Sequence, residues 1–147
     1  MYSGLQEIMG NRTLTAAIIS WILAQLIKFT LGLLLEGKAD LTYLTKSGGM
    51  PSGHAALVSA VAWGIGREHG FYSGEFALAV VLAIIVMYDA AGVRQAVGIQ
   101  ARIMNEIICD MYHRNRITPV RLKEILGHTP LEVFAGALLG LAIAILV

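Results

Sequence analysis

The chain has 147 residues, is 56% hydrophobic and 14% charged, and carries a formal net charge of +1 with a mean hydropathy of +0.69. Soluble domains are ordinarily about 45–50% apolar and about 25% charged, so this is the composition of a membrane protein about one domain long. The near-neutral charge leaves no case for nucleic acid, and the single cysteine, Cys109, excludes an internal disulfide or a Cys-rich metal site and reads as a packing residue.

The N-terminus, MYSGLQEIMGNRTLTAAIIS, lacks the basic segment and short apolar core of a cleavable signal and leads into a retained span. A hydrocarbon core about 30 Å thick needs about 20 mainly apolar helical residues. Residues 13–35 satisfy that, with Gln25 and Lys28 inside. Lys28 is near enough to the helix end to snorkel, and Gln25 shares its face. Residues 37–51 are Gly-rich and polar and read as a loop. Residues 52–69, SGHAALVSAVAWGIGREH, form a shorter helix whose small residues suit close packing. GFYSGE is a tight turn, and 76–93 is a third span with Asp89 near its end and Arg94 just beyond.

Residues 94–113 read as an amphipathic helix continuing from that span, with Arg94 and Asn105 near one face. RNRITPVRLKEIL is a loop and a short helix, and 130–147 is a fourth span. Its Gly136-to-Gly140 pattern permits close helix approach, more readily inside the bundle than between subunits. The expected fold is all-α: a polytopic helical membrane protein of about four transmembrane helices plus an amphipathic helix, one membrane-embedded domain over 1–147.

Four crossings place 37–51 and 94–127 on one face, which collects Lys38, Lys46, Arg94, Arg102, Arg114, Arg116, Arg121 and Lys123. The other face carries little more than Arg12 and Arg67. The positive-inside rule makes the basic face cytoplasmic. His54 and His128 fall on that face, each beside a proline at a helix entrance, in MPSGH and GHTPLEV. Free amides and the helix dipole attract anions there, and with two histidines and a basic loop they point to a phosphate-sized anion. Each piece has a plainer reading. Thr129-Pro130-Leu131-Glu132 is a capping box in its own right, PSG suffices to start a helix, and Asp89 pairs with Lys28 or Arg94 as readily as it serves a site. Ionisable groups at membrane depth cost about 2.5–3.5 kcal/mol each, and Lys28, Asp89 and Arg94 strung across the bilayer would instead read as an ion or proton path.

Taken together, GGMPSGHAALVSA, IVMYDAAGVRQAVGIQARIMNEI and LKEILGHTPLEVFAGALLG resemble the divergent PAP2 family, small membrane proteins related to type 2 phosphatidic acid phosphatases and vanadium haloperoxidases. The resemblance runs from WILAQLIKF to the last helix and implies a PAP2-like bundle. Pro51-Ser52-Gly53-His54 matches one phosphatase motif completely, and His128 with Glu132 matches another with Glu for Asp. The resemblance implies His128 as nucleophile, Glu132 as the residue orienting its ring, His54 as acid, and Ser52 and the Gly53 amide as phosphate ligands. It implies no metal and no cofactor. No Arg-Pro dipeptide occurs and the Ser-Arg pair is absent, so the phosphate-clamping cations are open. Lys28 and Arg94 are the candidates, with Lys46, Arg121 and Lys123 behind them and Asp89 and Asn105 in support.

The expected function is metal-independent hydrolysis of a lipid phosphate monoester or diphosphate through a phosphohistidine. The substrate would be a phospholipid or polyprenyl phosphate taken from the bilayer, and a homo-oligomer is open. The alternative is a non-enzymatic membrane protein that binds anionic lipid or a partner with a retained phosphate site.

Overall fold

The computed structural model describes residues 2–36, 48–113 and 127–147, and every regular element among them is helical. In chain order these are α1 (Tyr2–Gly10), α2 (Arg12–Glu36), α3 (Gly53–His69), α4 (Gly74–Tyr88), a π-helical turn (Asp89–Val93), α5 (Arg94–His113) and α6 (Pro130–Leu146). The loop and short helix expected over 114–126 lie outside the described residues. α1 was not expected. It meets α2 at Asn11, whose side-chain oxygen accepts the Leu14 N–H at 2.8 Å and caps α2.

α2 is apolar almost throughout, and two of its hydroxyls are satisfied inside the helix. Ser20 donates to the Ala16 carbonyl at 2.7 Å and Thr30 to the Leu26 carbonyl at 2.8 Å. α3 starts where Ser52 caps it and stops at Gly70, whose φ of 90° suits glycine. α4 is capped by Ser73 and runs through the π-helical turn into α5 without a break. The third span and the amphipathic helix are therefore one rod, as the sequence indicated, with a change of hydrogen-bond register that it did not.

α3 is the central element, packing against α2, α4 and α6, while α2 also meets α6. Small residues make this possible. One buried cluster joins Ala16, Ala17, Ala60 and Ala144, and another joins Ala55, Ala90 and Val133. At the α3–α6 seam, a Cβ on Gly136 would strike the Ser52 carbonyl oxygen, and one on Gly140 would strike that of Ala56. The expected close approach is therefore made within the bundle. Large apolar side chains such as Leu34, Leu78, Ile85, Phe134 and Leu138 point outward. Small residues inside and large ones outside suit a hydrocarbon solvent, where helices associate by close packing and not by hiding leucine from water. Arg12–Leu35 and Gly74–Cys109 are long and apolar enough to cross a membrane, and Pro130–Leu146 is a shorter apolar helix. Cys109 is exposed on α5, not packed in the bundle.

Candidate phosphate site

The N-termini of α3 and α6 are stitched together. The Ser52 N–H donates to the Glu132 carbonyl at 2.9 Å, a contact that the bare Gly136 backbone accommodates. Just ahead of α6, the His128 N–H donates to the Ala90 carbonyl at 2.9 Å. Ala90 lies in the π-helical turn, where the regular ladder of the α-helix is interrupted and a carbonyl becomes available to another segment. Three distant pieces of chain thus fix the position of His128, whose residue exposure is 0%.

Glu132 fixes its ring. One carboxylate oxygen, Oε2, accepts from His128 Nδ1 at 3.0 Å and from the Thr129 N–H at 3.1 Å, while Thr129 Oγ1 accepts from the Glu132 N–H at 3.3 Å. The capping box and the orientation of the histidine are one arrangement, not competing readings. A carboxylate only accepts, so Nδ1 donates, and in the neutral ring the lone pair falls on Nε2. The ring of His54 stands edge-on to that of His128, with centroids 6.1 Å apart and planes at 66°. His54 itself is exposed.

Ser52 is fully buried, and its Oγ accepts the Ala55 N–H at 3.4 Å, which leaves the hydroxyl hydrogen to donate. Gly53 opens α3 against α2. A Cβ there would sit 3.2 Å from Trp21 Cδ1 and 3.5 Å from Gln25 Nε2. Lys28 does not snorkel outward. It is 4% exposed, its stem lies beside Gly49, and its ammonium interacts electrostatically with the Glu132 carboxylate. Gly49 has φ 93°, a left-handed conformation that glycine adopts without a Cβ clash.

His54, His128, Glu132, Ser52, Gly53 and Lys28 are accordingly gathered around the entrances of α3 and α6. Asp89 opens the π-helical turn next to Ala90, and its side chain is half-buried. Asn105 is not brought to the histidines by its own helix, since it lies about four turns beyond Ala90 along α5. The Arg94 side chain and residues Lys46, Arg121 and Lys123 lie outside the described part. Gln25 was singled out in the sequence only as a neighbour of Lys28. Its Oε1 is buried with no hydrogen-bond partner among the described residues, which makes it an acceptor at the edge of the site.

Small-residue seams, a lipid-suited exterior and paired histidines at two helix entrances define a helical membrane protein with a polar cluster at one end. The chain matches the Divergent PAP2 family over residues 9–143 and belongs to it. It is also similar to the uncharacterized membrane protein YuiD of Bacillus subtilis (strain 168), with 35% identity covering 95% of each chain. No solved structure matches it significantly.

Proposed function

We propose that the protein is a multi-pass membrane phosphatase that hydrolyses a lipid phosphate monoester or diphosphate through a phosphohistidine on His128. One observation carries the reading: a buried ring held by Glu132 at 3.0 Å, with a second histidine ring centred 6.1 Å away. His128 Nε2 attacks phosphorus, the bond from phosphorus to the lipid oxygen breaks, and protonated His54 gives its proton to that oxygen. Water then attacks the phosphohistidine and loses a proton to His54. The phosphorus–nitrogen bond breaks and inorganic phosphate leaves. Histidine suits both tasks because it changes protonation near neutral pH. The Ser52 hydroxyl, the Gly53 amide and the Lys28 ammonium offset charge on the equatorial oxygens. The scheme calls for no metal.

Reacting atoms begin about 3–3.5 Å apart and an acid works at about 2.6–3.2 Å, so the two rings must stand on the order of 8 Å apart with substrate between them. His54 is the exposed ring and therefore the one that turns outward as substrate enters. A lipid suits the location, since its tail stays in the bilayer while its headgroup meets the basic face, on the cytoplasmic side by the positive-inside rule.

Lys28 is the only cationic side chain buried among the described residues. That favours a second reading, a membrane protein that binds phosphate without turnover. The deciding experiment measures phosphate release from phosphatidic acid, a polyprenyl phosphate and a polyprenyl diphosphate, with no added metal. Wild type is compared with His128→Ala and His54→Ala. The phosphatase reading expects no release from His128→Ala, and a loss in His54→Ala that is greatest for the poorest leaving group. Histidine-dependent binding of vanadate without release would select the second reading, and neither binding nor release would remove both.

A further inference from the structure

The face that is poor in basic residues concentrates its two arginines in one place. Arg12 and Arg67 line a single cleft of about 220 Å³, together with Thr13, Gly64 and Glu68, and Val147, just beyond α6, closes it. Arg67 lies in the last turn of α3, about four turns from Ser52, or on the order of 20 Å. The cleft therefore stands toward the opposite edge of a hydrocarbon core about 30 Å thick. It is separate from the histidine site and does not depend on the phosphatase reading.

Two of the charged groups in the cleft, Arg67 and Glu68, are held in place. Arg67 Nη1 donates to the Ala144 carbonyl at 3.1 Å, which anchors the guanidinium while using one of its donors. Thr13 donates its hydroxyl to Glu68 Oε1 at 2.7 Å, which positions the carboxylate. A Cβ on Gly64 would run into the Thr13 side chain, so glycine is what lets these two walls meet. Arg12 is the first residue of α2, where a cation faces the positive end of the helix dipole. The helix alone gives no reason for a cation there. An anion between Arg12 and Arg67 would be stabilised by both guanidiniums and by that dipole together.

We propose that the cleft binds the headgroup of a zwitterionic phospholipid, an ethanolamine phosphodiester, with the phosphate on Arg12 and Arg67 and the ammonium on Glu68. Guanidinium forks match phosphate oxygens, and a primary ammonium donates to a carboxylate where a quaternary one cannot. The volume suits a headgroup and not a whole lipid, since pockets that enclose entire small ligands start at about 300 Å³. Leu14 and Ile18 on α2 and Ile145 on α6 are exposed nearby in sequence and offer an apolar surface for the chains.

The test is native mass spectrometry of the full chain in detergent, titrated with phosphatidylethanolamine, phosphatidylglycerol and phosphatidylcholine of identical chains. Wild type is expected to hold phosphatidylethanolamine best. Arg12→Gln should weaken it about tenfold, the scale of one charge-assisted hydrogen-bonded contact. Glu68→Gln should remove the preference over phosphatidylglycerol, and His128→Ala should leave it intact. Arg67 also ties α3 to α6, so Arg67→Gln can loosen the bundle, and Arg12→Gln with a wild-type melting profile carries the test. Unchanged retention in that variant, or equal retention of the three lipids by wild type, would overturn the proposal. Competition by glycerophosphoethanolamine at the same concentrations as the lipid would overturn it in favour of a soluble ligand.

Discussion

Glu132 occupies the third position of α6, from which a carboxylate reaches back over the helix entrance to Thr129 and to the residue before it, His128. Its two roles can be separated by substitution. Glu132→Gln keeps an acceptor for the cap but no longer holds the ring as an anion. We expect a stability change within about 0.5 kcal/mol, and a fall in phosphate release of about 10²–10⁴-fold, the range for mispositioned acid–base groups. Glu132→Ala removes the cap as well and should cost about 1 kcal/mol more. Equal loss of stability in both variants would leave the carboxylate a purely structural role. The Thr129–Glu132 cap was legible from the spacing of a helix start, while the ring-orienting role of Glu132 came only from the family resemblance, and neither could show that a single oxygen does both. The state of Lys28 was less legible. A long stem near a helix end permits snorkelling, and only the packed structure, with the stem beside Gly49, shows that Lys28 is buried instead. Lys28→Met, which retains the stem, should then lower release by about 10²-fold, as loss of a charge-stabilising donor does, with little change in helix content by circular dichroism.

At the scale of elements, the α3–α6 seam sets the site because the carbonyls that the α6 glycines approach belong to α3. Gly140→Ala should destabilise the bundle by about 1–3 kcal/mol through overpacking, read as a lower melting temperature in detergent. Gly136→Ala should cost a similar amount and also reduce vanadate binding, since its new methyl group pushes on Ser52. Gly74→Ala meets nothing within 4 Å and serves as a control expected to stay near wild type. If Gly136→Ala melted early but bound vanadate normally, Ser52 would not be a ligand. The apolar helices themselves were legible from hydrophobic length, and residues 13–35 and 130–147 fall almost where α2 and α6 do. The π-helical turn was not legible. No residue type marks a shift from i+4 to i+5 bonding, and its role appears only once the Ala90 carbonyl meets His128. α1 escaped for a different reason: a helix as short as Tyr2–Gly10 has too few turns to show a decisive period, and its cue, the capping residue Asn11, belongs to the next helix.

For the whole molecule, the continuous helix from α4 through α5 decides what lies on which side. Gly74–Cys109 comprises 36 residues, about 54 Å at about 1.5 Å per residue. Even at a steep tilt of about 40°, such a rod exceeds a hydrocarbon core about 30 Å thick. Its start adjoins the turn after α3, on the side of the Arg12–Arg67 cleft, and it passes the histidines at Ala90. If the rod crosses the membrane, Cys109, which is exposed and the only cysteine in the sequence, is expected on the histidine side. Tyr72, 95% exposed in the turn between α3 and α4, marks the opposite side. A membrane-impermeant maleimide should label native Cys109 in inside-out vesicles but not in intact cells. Tyr72→Cys in a Cys109→Ser background should show the reverse. Labelling of both from one side would mean that α4 does not cross, which would remove the membrane-depth argument for the lipid cleft. Opposite labelling with Cys109 reached from outside would keep the crossing and reverse the orientation, so that the histidine site would meet lipid phosphates of the outer leaflet.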